Sequence, residues 1–524
     1  MVMRSAGRAI ALTIALVLVA ASAAQAQGRG GPSWSTTGSD AQRTSWVKTD
    51  PRISSDSMRK PGFQLLWKAK LENQPRQLES LTQPMLLPNI ISYKGFKALA
   101  FVGGSSDNVY SIDYDLNKMF WKRHLNTMPA APGTIACPGA MTTITRATPL
   151  GQTTPPAGRG GPAPAAGGGG GRGGNTNVYA ISSGGLVHTL NPQTGDDMTP
   201  PVKFLPPNAK ATGAILIDAT MYASTRDGCG STANGVYAID LGSDAKTVTH
   251  WESKGGSVAG SAGVTFGTDG NIYVATDGGA PGSNDANAIV ALDPKTLGAR
   301  DWFSPGPTPF TASPVAFNYK GKDLIVAANA DGRLYVLDAE SLGGADHRTP
   351  LSKTAPYSTG AGDFAAGSLA TSETADGSRW VFAATAGPPG AGSTLGSTNG
   401  PITNGAVVAY KLVDQNGTMG LQAVWSSRDL LSPAPPTVVN GVVFAISTGE
   451  YRSGDSQLTA AQRAQRGKAA VLYALDAASG KELWSSGNTI SSFVRGVGPS
   501  AGDGQVYVVT YDGTVYAFGI PLEH

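Results

Sequence analysis

The chain has 524 residues, a formal net charge of +3 and only 15% charged side chains, a balance that lacks the strongly basic face of a nucleic-acid binder. Glycine contributes 69 residues and proline 35, which suits many short strands joined by tight turns rather than long helices. The length would fill three or more ordinary domains, or one repeat architecture.

In chain order, Arg4 and Arg8 precede a short apolar stretch from Ala9 to Ala20, and Ala24-Gln25-Ala26 supplies an A-x-A cleavage site. This pattern predicts a signal peptide over 1–26, with the mature chain starting at Gln27. The apolar run is too short for a comfortable membrane span. No Cys stands directly after the cleavage site and no later stretch is apolar enough to cross a membrane, so neither a lipid anchor nor a transmembrane segment is expected. The expected location is the periplasm or the cell exterior. An oxidising compartment permits a disulfide between the two cysteines, Cys137 and Cys229; two separate buried thiols are the alternative.

After an N-terminal extension (27–62), one unit recurs. Its clearest copy is Leu472-Tyr473-Ala474-Leu475-Asp476-Ala477-Ala478-Ser479-Gly480-Lys481-Glu482-Leu483-Trp484. It reads as a strand, a turn carried by Asp476 and Gly480, and a second strand ending in Trp. Weaker copies lie at Val109–Asp113, Val187–Asn191, Val236–Asp240, Val290–Asp293, Leu334–Asp338, Val407–Tyr410 and Val515–Phe518, which makes eight. Upstream of each lies a strand of small residues, beginning near Thr82, Cys137, Thr212, Gly260, Ala312, Ala366, Pro435 and Gly498. These are the strands expected where blades converge on an axis. The last copy has no Trp strand after it, whereas Phe63-Gln64-Leu65-Leu66-Trp67-Lys68 has no copy before it. The N-terminal strand is therefore expected to complete the last blade and leave no exposed sheet edge. The fold class is all-β, an eight-bladed β-propeller over 63–524. Flexible inserts are expected at 152–174 and 387–404, and a short surface helix within Ser456–Lys468. The recurrent Trp67, Trp121, Trp251, Trp302, Trp425 and Trp484 are expected to dock each blade on the next.

The unit with its Asp, Gly and Trp resembles the pyrroloquinoline-quinone (PQQ) type repeat of the quinoprotein alcohol dehydrogenase-like superfamily. The resemblance runs from about Trp34 to the C-terminus, and Trp34-Ser35-Thr36-Thr37-Gly38-Ser39-Asp40-Ala41-Gln42-Arg43 looks like the opening of such proteins. For a dehydrogenase it implies PQQ with Ca²⁺, a carboxylate base, and an adjacent Cys-Cys pair stacked on the cofactor. Where that pair would lie, Thr134-Ile135-Ala136-Cys137-Pro138-Gly139 has a single Cys. Where the base would lie, Pro309-Phe310-Thr311-Ala312-Ser313-Pro314 has no carboxylate. No Cys-x-x-Cys-His segment is present, so no c-type haem is expected. Similar propellers also serve as non-catalytic scaffolds, including an outer-membrane assembly lipoprotein.

Asp363 is the remaining acid near an inner strand, as a candidate base or metal ligand, or simply a turn cap. Arg76 and Gln77 precede the first inner strand and Arg495 the last, so all three are candidates for binding the carboxylates of a cofactor at one mouth of the channel, or are solvated loop residues. His124, His188 and His250 match no metal spacing. Three readings follow: a binding or scaffold module of the cell envelope, with a small-molecule or envelope-protein partner; a divergent PQQ-dependent alcohol or sugar dehydrogenase; and an outer-membrane protein assembly factor.

Overall fold

The computed structural model describes residues 34–92, 95–125, 133–150, 175–280, 282–359, 367–390, 395, 398–415 and 417–521. The repeats fold into eight antiparallel blades around one axis. Blade 1 runs outward through Met85–Ser92, Gly95–Gly103, Asn108–Asp113 and Lys118–His124. The innermost strands of blades 2 to 8 are Thr143–Arg146, Lys210–Ile217, Thr265–Phe266, Val315–Tyr319, Ala370–Glu373, Thr437–Val439 and Ser500–Gly502. Each lies within or just beyond a small-residue stretch picked out in the sequence. Because every blade is covered on both faces by its neighbours, its middle strands are buried almost without interruption, as in Val442–Ser447 and Gln505–Val509. The outermost strands alternate, as half-exposed strands do.

The ring closes as the repeat pattern requires. Gln64–Lys70 pairs antiparallel with Thr514–Gly519, setting Leu65 opposite Phe518 and Trp67 opposite Ala517. The chain ahead of this strand is not merely an extension. Residues 34–47 thread along the inner strands inside the ring. Leu86 donates its N–H to the Trp34 carbonyl, Arg146 to Ser35, Phe266 to Ala41, Ala316 to Gln42, Thr371 to Thr44 and Val438 to Ser45, at 2.8–3.2 Å. The Thr36 hydroxyl donates to Ala214 O at 2.8 Å. Blade 8 joins through Gln83, whose amide accepts from Gly38 and donates to the Gly498 and Pro499 carbonyls. One segment thus ties all eight blades.

The six recurrent tryptophans are not equivalent, and only some of them bond to the next blade. In blades 1, 6, 7 and 8 a register shift in the outermost strand pair sets Trp opposite a small residue: Trp121 opposite Ser111, Trp425 opposite Ala409, Trp484 opposite Ala474, Trp67 opposite Ala517. Trp121 and Trp425 reach the next blade's turn, donating Nε1–H to Pro192 O at 2.8 Å and Ala477 O at 2.9 Å. Trp484 packs on Phe63 and Phe518 of blade 8, and Trp67 donates to Gln505 within its own blade. Blade 3 has no such shift, so Thr249 stands opposite Ala238 and Trp251 falls two residues further on. In blade 4 the shift sets Asp301 opposite Ala291, and Trp302, one residue later, turns to the other face. In blade 3 a tyrosine of the second strand takes over, Tyr222 donating to Pro294 O at 2.8 Å; in blade 4 the Tyr273 hydroxyl donates to Asp269 Oδ2 at 2.7 Å and lies 3.4 Å from Ala339 O of the next blade.

The helix expected within Ser456–Lys468 is Ala460–Arg466, with Thr459 and Gln462 forming a reciprocal capping box. The 152–174 insert lies outside the described residues, as does part of 387–404.

Candidate functional site

In an antiparallel four-stranded blade, the loops between second and third strands and the connections between blades emerge at the same end of the axis. Arg76, Gln77, Glu79, Glu450, Arg452 and Arg495 all come from such segments. Glu450 follows the second strand of blade 7 and is almost fully buried. Its Oε2 accepts from Arg452 Nε at 3.1 Å and lies 3.0 Å from Nη2, while Oε1 pairs with Arg495 Nη1. Arg495 also lies 3.8 Å from Glu79 through Nε. Two guanidinium groups are thereby neutralised by two carboxylates, so the buried charges are paired rather than held ready for a ligand.

The remaining candidates are similarly committed. Arg76 donates Nε–H to Ser106 at 3.2 Å, and its backbone exchanges two hydrogen bonds with Glu79. Gln77 donates its amide to Gly133 O at 2.5 Å, while its carbonyl accepts from Tyr511. Arg76 and Arg495 do share one mouth, linked through Glu79. Asp363 lies outside the described residues. Cys137, at the position of the expected cysteine pair, is bonded to Cys229, 92 residues away, with a Cα–Cα distance of 5.4 Å. This bridge ties the connection into blade 2 to a loop of blade 3. Beside it Lys210 pairs with Asp227 at 2.9 Å, and Arg226 spans Asp227 and Asp277. Burial pushes the Asp277 carboxyl above its ordinary range, against the opposing pull of Arg226.

Below the mouth, described inner segments of neighbouring blades meet closely. Ala312-Ser313 pairs in parallel with Gly367-Ser368, and Ser261 donates its N–H to Gly367 O at 2.9 Å. A Cβ at Gly260 (φ +85°) would meet Ser313 N at 2.0 Å, so glycine is required there. Among the described residues a cavity of about 10 Å³ lies there, bordered by Gly38, Gln83, Ser261, Ser368, Thr437 and Gly498, room for about one water. The lining is small and neutral.

PQQ carries three carboxylates and would need free guanidinium groups and a converging oxygen set for Ca²⁺. Among the described residues the mouth arginines are already engaged, and no three His, Cys, Asp or Glu side chains gather as a metal ligand set. These residues do not fit the group. Glu79, Glu450 and Arg452 escaped the sequence reading. For Glu450 and Arg452 the signal was the charged pair flanking Tyr451, in the loop between the second and third strands of a blade of a charge-poor chain; Glu79 had none.

The family model PQQ_2, described as outer membrane protein assembly factor BamB, matches residues 422–520. No curated protein sequence matches the chain. Among solved structures, a europium-containing methanol dehydrogenase is similar at 12% identity, over 94% of this chain and 98% of that one, with a TM-score of 0.58. The quinohemoprotein alcohol dehydrogenase of Comamonas testosteroni is similar at 15% identity, over 94% and 81%, with a TM-score of 0.55. Quinohemoprotein alcohol dehydrogenase ADHIIG of Pseudomonas putida HK5 is similar at 12% identity, over 94% and 82%, with a TM-score of 0.52. At these identities the likeness is one of fold. The chain is an eight-bladed β-propeller, and its residues 422–520 match a PQQ-type repeat model.

Proposed function

We propose that the chain is an exported binding module of the cell envelope that keeps the quinoprotein fold without its dehydrogenase chemistry. The observation that carries this reading is the pairing of Arg495 and Arg452 with Glu450 and Glu79, which commits two of the mouth's guanidinium groups to carboxylates of the chain itself. The close-packed, mostly small and neutral residues around the small cavity below it support it. The basic and apolar pattern of residues 1–26 and the Cys137–Cys229 bridge support an oxidising, extracytoplasmic location. The test is to incubate the mature protein with PQQ and Ca²⁺, remove free cofactor, and assay alcohol- and sugar-dependent dye reduction. Neither retention nor reduction is expected. Turnover on any alcohol or sugar overturns the reading in favour of a divergent PQQ dehydrogenase.

The family model matched at residues 422–520 favours a second reading, a part in assembling outer-membrane proteins. It requires that deleting the gene lower the level of folded outer-membrane β-barrels, and unchanged levels would dismiss it.

A further inference from the structure

The misplaced tryptophans of blades 3 and 4 meet in one place. The outer cleft between these blades holds a cavity of about 590 Å³ bordered by Trp251, Trp302, Asp285, Lys254, Ser283 and Asn284. Its size lies within the range of small-molecule sites. We propose that this cleft binds a saccharide.

Three observations carry the proposal. First, the bond to the next blade's turn that Trp121 and Trp425 make elsewhere is made in blade 3 by Tyr222, and Trp302 has turned to the other face of its blade. Both indoles pack against the interface of blades 3 and 4 while staying partly exposed. Second, Trp302 is held in place. His347 stacks on it with centroids 3.6 Å apart, and the imidazole Nδ1 lies 3.0 Å from both Trp302 O and Asp301 Oδ1. A fixed aromatic wall forfeits little entropy on binding. Third, Asp285 is 8% exposed, and its Oδ2 accepts the Lys254 N–H at 3.1 Å. Its Oδ1 is buried with no hydrogen-bond partner among the described residues. A carboxylate oxygen left without a donor is costly, and a ligand hydroxyl is a group that could supply one.

These groups suit a pyranose. Its C–H face carries slight positive charge and lies well on the negative face of an indole. Its hydroxyls can donate to Asp285 and can exchange hydrogen bonds with Ser283, Asn284 and the exposed Lys254 ammonium. The inference goes beyond the reading of the channel mouth and is separable from it: turnover with PQQ would leave this site intact, and failure of this site would leave the mouth as described.

The experiment is a titration of the mature protein with cellotriose, maltotriose and chitotriose, followed by indole fluorescence and calorimetry. Saturable binding of at least one, with Kd near about 1 mM or tighter, is expected. Trp302→Ala and Asp285→Asn should each weaken it about tenfold or more while the unfolding midpoint is retained. Should Trp302→Ala fail to fold, Asp285→Asn, which preserves shape, carries the test alone. Absence of saturable binding with all three sugars, or binding that survives Asp285→Asn unchanged, overturns the proposal.

Discussion

The Trp121 indole donates its Nε1 hydrogen to the Pro192 carbonyl at 2.8 Å, across the seam between blades 1 and 2. Trp425 makes the same contact with Ala477 at the seam of blades 6 and 7. The turn that receives each indole must approach its ring closely, which sets a demand on the turn glycine. At Gly480 (φ +71°) a Cβ would meet the Trp425 ring at 2.6 Å, and at Gly195 (φ +78°) the Trp121 ring at 2.8 Å. Gly480→Ala is expected to cost about 2–4 kcal/mol, combining left-handed strain with a displaced ring. Gly321→Ala has the same strain (φ +81°) but open space around it, and should cost only about 1–2 kcal/mol. Urea unfolding of both variants checks the difference; equal losses would mean that the seam yields freely.

Blade 3 gives this role to a tyrosine. Tyr222→Phe leaves the Pro294 carbonyl without its donor and should cost about 1 kcal/mol. Trp251→Phe, at a partly exposed indole with no bond to the next blade, should stay within about 0.5 kcal/mol. The reverse order in denaturant unfolding would return Trp251 to a docking role.

Glu450 is shared by two arginines. Glu450→Gln keeps the volume but removes the buried carboxylate charge that Arg452 and Arg495 both face, and should lower stability by about 3 kcal/mol. A thermal midpoint equal to that of the parent protein would show that the cluster is solvated and weak.

The ring itself was legible because it is repeated. Eight copies of a short pattern outvote any one ambiguous strand, and the unpaired Trp67 strand could go only to the unpaired C-terminal repeat. The tryptophan positions were half legible. Trp follows the turn Asp by eight residues in Asp113/Trp121 and Asp476/Trp484, by nine in Asp293/Trp302 and by eleven in Asp240/Trp251. A strand's side chains change face with every residue, so that one-residue difference decides which way Trp302 points. The mouth was less legible. Arg76 and Arg495 could be placed at one end of the axis, but Glu450 and Glu79 come from loops of different blades, and their meeting follows from the closed ring rather than from a local pattern. The threading of 34–47 left no periodic trace, because its backbone bonds accept almost any side chain.

Alkali should dissolve the interior in a defined window. Burial pushes the Tyr110 and Tyr222 hydroxyls up to about 12. In the unfolded chain they ionise near their ordinary value of about 10. A folded-state pKa raised above the unfolded one gives stability that is intact below about pH 10 and lost as pH rises toward 12. The thermal midpoint should therefore fall across pH 10–12, and tyrosinate absorbance should appear together with unfolding. Early, non-cooperative tyrosinate formation in the folded protein would contradict the burial.

The segment that ties the blades rests on one buried guanidinium. Arg43 is fully enclosed, donating Nε–H to Val264 O at 2.8 Å, Nη1–H to Thr36 Oγ1 and Thr37 O, and Nη2–H to Gly213 O at 2.9 Å. Burial pulls its pKa down to about 9, with the nearby Asp40 carboxylate opposing the fall. The four acceptors come from the segment itself and from blades 3 and 4, and only a planar fork spans them. Arg43→Lys offers one nitrogen in place of three and strands at least one buried carbonyl. We expect a loss of about 2–4 kcal/mol, concentrated in the segment because the blades keep their own ladders. Hydrogen exchange over residues 34–47 should accelerate while the middle strands stay protected, and a protease should cut the segment first. Unchanged exchange there would mean that the backbone bonds from Leu86 to Val438 hold the segment without the arginine.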